Sequence, residues 1–258
     1  MIQSAIVRPP SPTFANGITA ANLGPPDLAL ALEQHEGYVQ ALERAGARAI
    51  RLEPEPAYPD SAFVEDTAIL GDSFAILTRP GAPSRRGEVP SMRRALQPFA
   101  ARIHSIEDPG TVDGGDVLET FDRFLIGLSG RTNEEGARQL AGFLETEGLV
   151  STTVDIRGIR GLLHLKAGVS FLGNDRLFAI RELHHAVRAL GYEVVPVPED
   201  EAYAANSLDV NGNLLIPAGC PRSMALLGDL GHTLVELEMS EFRKMDGGLS
   251  CLSLRIML

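Results

Sequence analysis

The chain has 258 residues, of which 44% are apolar, enough to bury the core of one large domain or two small ones. Its 34 acidic and 23 basic residues leave a formal charge of −11. That balance disfavours nucleic acid and anionic membranes as partners and suits a small cationic ligand.

In chain order, the run "SAIVRPP" reads as a first strand. Residues 27–46 then read as a helix that Asp27 caps and Gly46 ends, with Leu28, Leu32, His35, Val39 and Leu42 recurring at helical spacing. The β-rich run "ARAIRLE" and a hairpin in "FVEDTAILGDSFAILT" follow. The pattern returns four times. "SMRRALQPFA" precedes "RIHSIE" and the hairpin "GGDVLETFDRFLIGL", and "NEEGARQLAGFLETEG" precedes "VSTTVDI" and "LHLKAGVSFLGNDRLFAI". "RELHHAVRALG" precedes "YEVVPVP" and "SLDVNGNLLIP", and "RSMALLGDLG" precedes "HTLVELEM" and the closing run "GGLSCLSLRIML".

The post-helix strands, marked by Ile50, Ile103, Val154, Val195 and Val235, recur at roughly 40 to 50 residues, a repeat signature. The last run joins the first strand to complete a fifth unit. A closed, propeller-like ring and an open α/β sheet of loosely similar units both satisfy this pattern. The chain is expected to be a single domain over residues 1–258. "MIQSAIVRPPSPTF" carries neither a basic leader nor the apolar run of a signal peptide, and no segment has membrane-spanning length, so a cytoplasmic protein is expected. Two cysteines, Cys220 and Cys251, make no disulfide framework or zinc signature, and free thiols are the expectation.

Polar residues follow each post-helix strand: Asp60, Glu65 and Asp66, then Asp113 and Asp116, then His164, then Asn206, then Cys251. If the units are related by a pseudo-rotation, a nucleophile, an acid/base partner and carboxylates meet at one axis. Each residue also has a plainer reading. His164 sits between leucines, where a hydrogen-bonded core histidine is common, and His35 is read as structural. His184 and His185 read as helix surface, and Cys220 as a loop-end residue. The glycines of "DGGD" fit a turn needing positive φ, and Arg79, Arg85 and Arg86 fit a solvated loop. Glu65 and Asp66 suit a core only with a cation. Cys251 lies just beyond the turn at Asp246, Gly247 and Gly248, where a strand begins and a thiol is partly exposed.

The motifs "PDSAFVEDTAIL", "TRPGAPSRRGE", "GTVDGGDVL", "GLSGRTNEEGARQL", "LHLKAGVSFL", "YAANSLDVN", "PAGCPRS" and "SEFRKMDGGLSCLSLR", in this order, resemble the dimethylarginine dimethylaminohydrolase family of the guanidino-group-modifying superfamily. The resemblance spans nearly the whole chain and implies an α/β fold, the five-bladed ββαβ propeller (pentein) with pseudo-five-fold symmetry. It implies Cys251 as nucleophile, His164 as general acid/base and Asp113, where some members carry Glu, as its partner. Asp60, Glu65 and Asp66 then grip the guanidinium and α-amino ends of a methylated arginine, and Arg85 and Arg131 bind its α-carboxylate. Phe63 and Ile18 line the pocket, with Met245 among the substrate-binding residues. Ile18 stands where leucine is common, in "NGITAANLG", which resembles a mobile lid.

On this reading the acidic surroundings raise the Cys251 pKa, and a bound guanidinium restores its thiolate. No metal or organic cofactor is required, nucleic acid and membrane are not partners, and a homodimer is left open. Arginine deiminases and amidinotransferases are generally longer. A hydrolase of another guanidino acid, a non-catalytic binder of cationic amino acids and a structural ring are the remaining alternatives.

Overall fold

The computed structural model describes residues 1–257. Strand β1 (Ile2–Val7) leads to helix α1 (Leu28–Arg44) and strand β2 (Arg48–Arg51). Asp27 caps α1 by accepting the Leu30 N–H at 3.1 Å, and Gly46 leaves the helix at φ +89°. The second unit is β3 (Ala68–Leu70), β4 (Phe74–Leu77), α2 (Val89–Leu96) and β5 (Arg102–Ser105). The third is β6 (Val117–Glu119), β7 (Phe124–Leu128), α3 (Glu134–Thr146) and β8 (Ser151–Asp155). The fourth is β9 (Val169–Gly173), β10 (Arg176–Ala179), α4 (His184–Ala189) and β11 (Glu193–Pro196). Then come β12 (Leu208–Val210), β13 (Asn213–Pro217), α5 (Pro221–Asp229) and β14 (Thr233–Leu237). The short helix α6 (Ser240–Arg243), which the sequence did not announce, precedes β15 (Ser253–Met257).

Each unit makes its own three-stranded sheet, and the fifth combines the two ends of the chain as β15-β1-β2. In every sheet the middle strand pairs antiparallel on one side and parallel on the other. A parallel neighbour needs a crossover connection, and the helix of each unit supplies it.

The middle strands are buried on both faces, and their alternation decides between a ring and an open sheet. Side chains along a strand point to opposite faces in turn. Phe74 and Ile76 enter one core while Ala75 and Leu77 enter another, and Leu125 parts from Phe124 and Ile126 in the same way. The core holding Ile6, Leu254 and Ile256 reaches Ala75 and Leu77, and the core holding Ala5 and Val7 reaches Leu215 on the other side. Every sheet therefore packs against two neighbours, and the ring closes. Among the described residues no helix is long and apolar enough to cross a membrane.

The structure corrects local details. Glu65, Asp66 and Cys251 lie in 3-10 turns, Val64–Thr67 and Ser250–Leu252, just ahead of the strands they were expected to begin. Gly114–Asp116 and Leu165–Ala167 form equivalent turns. Gly114 and Gly115 have no positive φ. Arg85 is buried, not solvated, and Cys220 packs into the core beneath α5.

His35 is structural as expected, at 2% exposure, with Nε2 lacking any partner. Burial, and secondarily Arg51, pushes its pKa down from 6.5 to about 4. A folded pKa below the unfolded one keeps the imidazole neutral in the native state, so its contribution is intact above pH 6.5 and lost as pH falls toward 4. The full loss is roughly 3 kcal/mol. Thermal midpoints measured from pH 7 to pH 4 are expected to fall more steeply for the native chain than for His35→Leu.

Candidate active site

The five axial turns meet through side chains that satisfy their neighbours' backbone groups. Asp66 Oδ1 accepts the Gly115 N–H at 2.8 Å, and Asp116 Oδ1 accepts the Leu165 N–H at 3.0 Å. Asn206 Nδ2 donates to the Lys166 carbonyl at 2.9 Å, and its Oδ1 accepts the Ser250 N–H at 2.9 Å. Ser250 Oγ then donates to Glu65 Oε2 at 2.8 Å, returning to the first turn. Asp116 also accepts the Ser129 and Thr132 hydroxyls and is fully buried, so its role is to join turns.

His164 and Asp113 come together as expected, with Nε2 3.0 Å from Asp113 Oδ2. Asp113 Oδ1 accepts the Gly81 N–H at 2.8 Å, and Arg131 stands 3.9 Å from Oδ2. Burial opposes the imidazolium, but Asp66, Asp116 and Asp113 outweigh it and push the His164 pKa up to about 9. Burial likewise opposes the Asp113 anion, while the His164 partner holds its pKa below the ordinary value. The other ring nitrogen faces Gly115, where a Cβ would stand 2.7 Å from Nδ1 and 3.0 Å from Asp66 Oδ1. On Gly114 a Cβ would meet the Glu65 carbonyl at 2.0 Å. The glycines of "DGGD" are required by this close approach.

Cys251 is partly buried, and its Sγ accepts the Gly248 N–H at 3.4 Å. Burial, then Glu65 and Asp66, push its pKa up to about 12, with Gly248 and Lys166 acting weakly the other way. The isolated site therefore holds a thiol beside an imidazolium at neutral pH.

A small cavity of about 30 Å³ gathers Cys251, His164, Asp60, Asp66, Arg85, Arg131, Phe63, Ile18 and Met245. These are the expected residues except Glu65 and Asp113. Asp113 reaches it through His164. Ile18 closes the cavity: its N–H donates to Asp60 Oδ1 at 3.0 Å, Ala20 N–H to Asp246 Oδ2 at 2.6 Å, and Thr19 Oγ1 to the Lys244 carbonyl at 2.8 Å. Burial raises the Asp60 pKa against the pull of Arg85 and the Ile18 N–H.

Arg85 and Glu65 depart from the simplest expectation. Arg85 lines the cavity, but its guanidinium binds Asp66, Glu88 and the carbonyls of Asp60 and Phe63. It organises the carboxylates of the pocket. Glu65 does not line the small cavity. Its Oε1 takes Lys166 Nζ at 2.6 Å and Arg255 at 2.9 Å, and it lines a cavity of about 690 Å³ instead. A wider groove of about 820 Å³ reaches Cys251 and His164, and Lys166, Asn206 and Ser250 line both this groove and the 690 Å³ cavity, forming a partition between them.

Lys166, Arg255, Ser250, Asp246 and Gly115 were not singled out individually from the sequence. Two had a signal: Lys166 interrupts an apolar run two positions after His164, and Arg255 is the only charge in the closing strand. Asp66, Asp113 and His164 each offer a ligand atom within 4.8 Å of the others, a spacing a metal ion could use. Arg85, the Gly115 and Gly81 N–H groups and the Asp113–His164 contact already engage them.

No family model matches the chain. It is 41% identical over 256 residues to N(G),N(G)-dimethylarginine dimethylaminohydrolase of Pseudomonas aeruginosa, covering 99% of this chain and 100% of that one. Identity to the protein of the same name from Streptomyces coelicolor is 37%, over 98% and 97% of the two chains. A solved structure of the Pseudomonas aeruginosa protein, a cysteine-to-serine variant complexed with citrulline, superposes with a TM-score of 0.95 at 40% identity, covering 99% and 100%. The N-terminal domain of ArgZ, a cyanobacterial arginine dihydrolase, shares the fold at a TM-score of 0.87 and 20% identity over 100% and 98% of the chains. The closed ring of five ββαβ units is therefore the pentein propeller, and the chain belongs to the dimethylarginine dimethylaminohydrolase family.

Proposed function

We propose that this chain is a single-domain cytoplasmic enzyme that hydrolyses Nω,Nω-dimethyl-L-arginine, and the monomethyl compound, to L-citrulline and the methylated amine. The observation that carries this reading is the convergence of Cys251, His164 and a carboxylate-lined cavity in a chain similar end to end to enzymes of that name.

Cys251 is the nucleophile. Its thiol, held at about 12 by burial and acidic neighbours, is poorly reactive until a guanidinium supplies positive charge beside it. The sulfur attacks the guanidinium carbon, and the bond to the methylated nitrogen breaks as His164 protonates the departing amine. Water then adds to the thiouronium carbon as His164 takes its proton, and the C–S bond breaks to release citrulline. Asp113 holds His164 in the protonated form and fixes its ring. Asp66 faces the cation, Asp60 serves the α-amino end beside the lid, and Arg131 is the cation available to the α-carboxylate. Arg85 supports these groups through Asp66.

Cys251→Ser is expected to abolish citrulline formation from Nω,Nω-dimethyl-L-arginine while leaving substrate binding within about threefold, and residual turnover above about 1% would remove Cys251 as nucleophile. With a His164 pKa of about 9, kcat is expected to decline as pH rises through 9, because the amine then departs without its proton. A pH–rate profile flat to pH 10 would contradict that role. Gly115→Ala displaces His164 or Asp66 and is expected to lower kcat about 100-fold with little change in thermal midpoint, checked by steady-state kinetics beside a melting curve.

A further inference from the structure

We propose that the enzyme accepts arginines whose Nω-substituent is far larger than methyl, of the alkyl or arylalkyl class, because the substituted nitrogen opens onto the wide groove and not onto the closed cavity. The inference rests on the amidine-hydrolase reading above. Two spaces meet at the reacting pair. The small cavity holds the charged side chains, is about 30 Å³, and is sealed by the lid through Asp60 and Asp246. The groove is about 820 Å³, the size of a whole ligand site, and only it includes Gly115, against which the free ring nitrogen of His164 lies.

Chemistry selects which space receives which end of the substrate. The amino-acid end requires Asp60 and Arg131, both on the sealed side. The guanidinium nitrogen that departs must be the one within reach of the His164 proton, and beyond His164 the groove continues between Leu162, Ile159, Ile180, Val197 and Tyr203. This wall is apolar, and the Arg243 guanidinium lies 4.9 Å over the Tyr203 ring at its edge. Two methyl groups occupy a small part of such a space, and nothing on that side rejects a longer chain by steric contact.

The reaction balances as for the methylated substrate. A C–S bond forms from Cys251, and the bond from the guanidinium carbon to the substituted nitrogen breaks. The amine leaves with that electron pair and a proton from His164. Water then forms the C–O bond, releases Cys251, and returns a proton to His164. Substituted arginine and water give citrulline and a primary amine, with no oxidant or further reactant.

The test compares purified enzyme on Nω,Nω-dimethyl-L-arginine and Nω-phenethyl-L-arginine, following citrulline and phenethylamine. The expected kcat/KM for the phenethyl compound is within about tenfold of the dimethyl value. Ala202 is exposed on the groove, and Ala202→Trp is expected to lower the phenethyl kcat/KM at least about tenfold while changing the dimethyl value less than about twofold. Turnover of the dimethyl compound with none of the phenethyl compound would overturn the proposal and leave the hydrolase reading standing. Equal losses for both substrates in Ala202→Trp would overturn the assignment to the groove. Turnover of neither would sink the hydrolase reading and this inference with it.

Discussion

The axis of the ring is the constraint on which the rest depends: five short turns bring peptide groups and charged side chains to one place, and each must be satisfied by the next. A buried polar group without a partner costs more than a made hydrogen bond contributes. Asp66, Asp116, Asn206, Ser250 and Glu65 meet that requirement in a closed circuit from turn to turn. The circuit holds Cys251 and His164 in place without either belonging to it. Ser250 and Leu165, their immediate neighbours in sequence, are the linking residues.

The same circuit divides the axis. Glu65 and Asp66 are consecutive, yet their side chains leave the turn in different directions. Asp66 faces the small cavity with Arg85 behind it, while Glu65 joins Lys166 and Arg255 on the other side of the partition. One carboxylate is thereby available to a ligand cation, and its neighbour carries protein cations. The acidic surroundings hold Cys251 as a thiol and His164 as an imidazolium, so the resting pair has the protonation needed to expel an amine but not to begin the attack. A guanidinium supplies what is missing. Reactivity is coupled to the correct cation by electrostatics, with the lid adding exclusion of water.

Much of this was legible in the sequence for local physical reasons. Asp27 and Gly46 bound the first helix because a cap and a left-handed exit are short-range requirements, and the same is true of Asn133 and Gly148. The repeat period followed from each unit needing a helix to bring a parallel strand back. The polar residues after each strand pointed to the axis, and the motif resemblance gave Cys251, His164 and Asp113 their roles before any distance was known.

The sequence by itself therefore determined the units, their order and the chemistry present at the axis. It did not determine that the ring closes, because that depends on middle strands whose alternate residues enter two different cores, as Leu125 and Ile126 do. A continuous apolar run looks the same in an open sheet. Nor did it separate Glu65 from Asp66, bury Arg85 among carboxylates, or show that the "DGGD" glycines answer to a neighbouring carbonyl and an imidazole and not to a turn. Those outcomes are set by groups roughly 50 to 200 positions away along the chain, as a repeat of this period brings them together. Only the assembled ring places such groups in contact, and contact is what decides which charge is free to act.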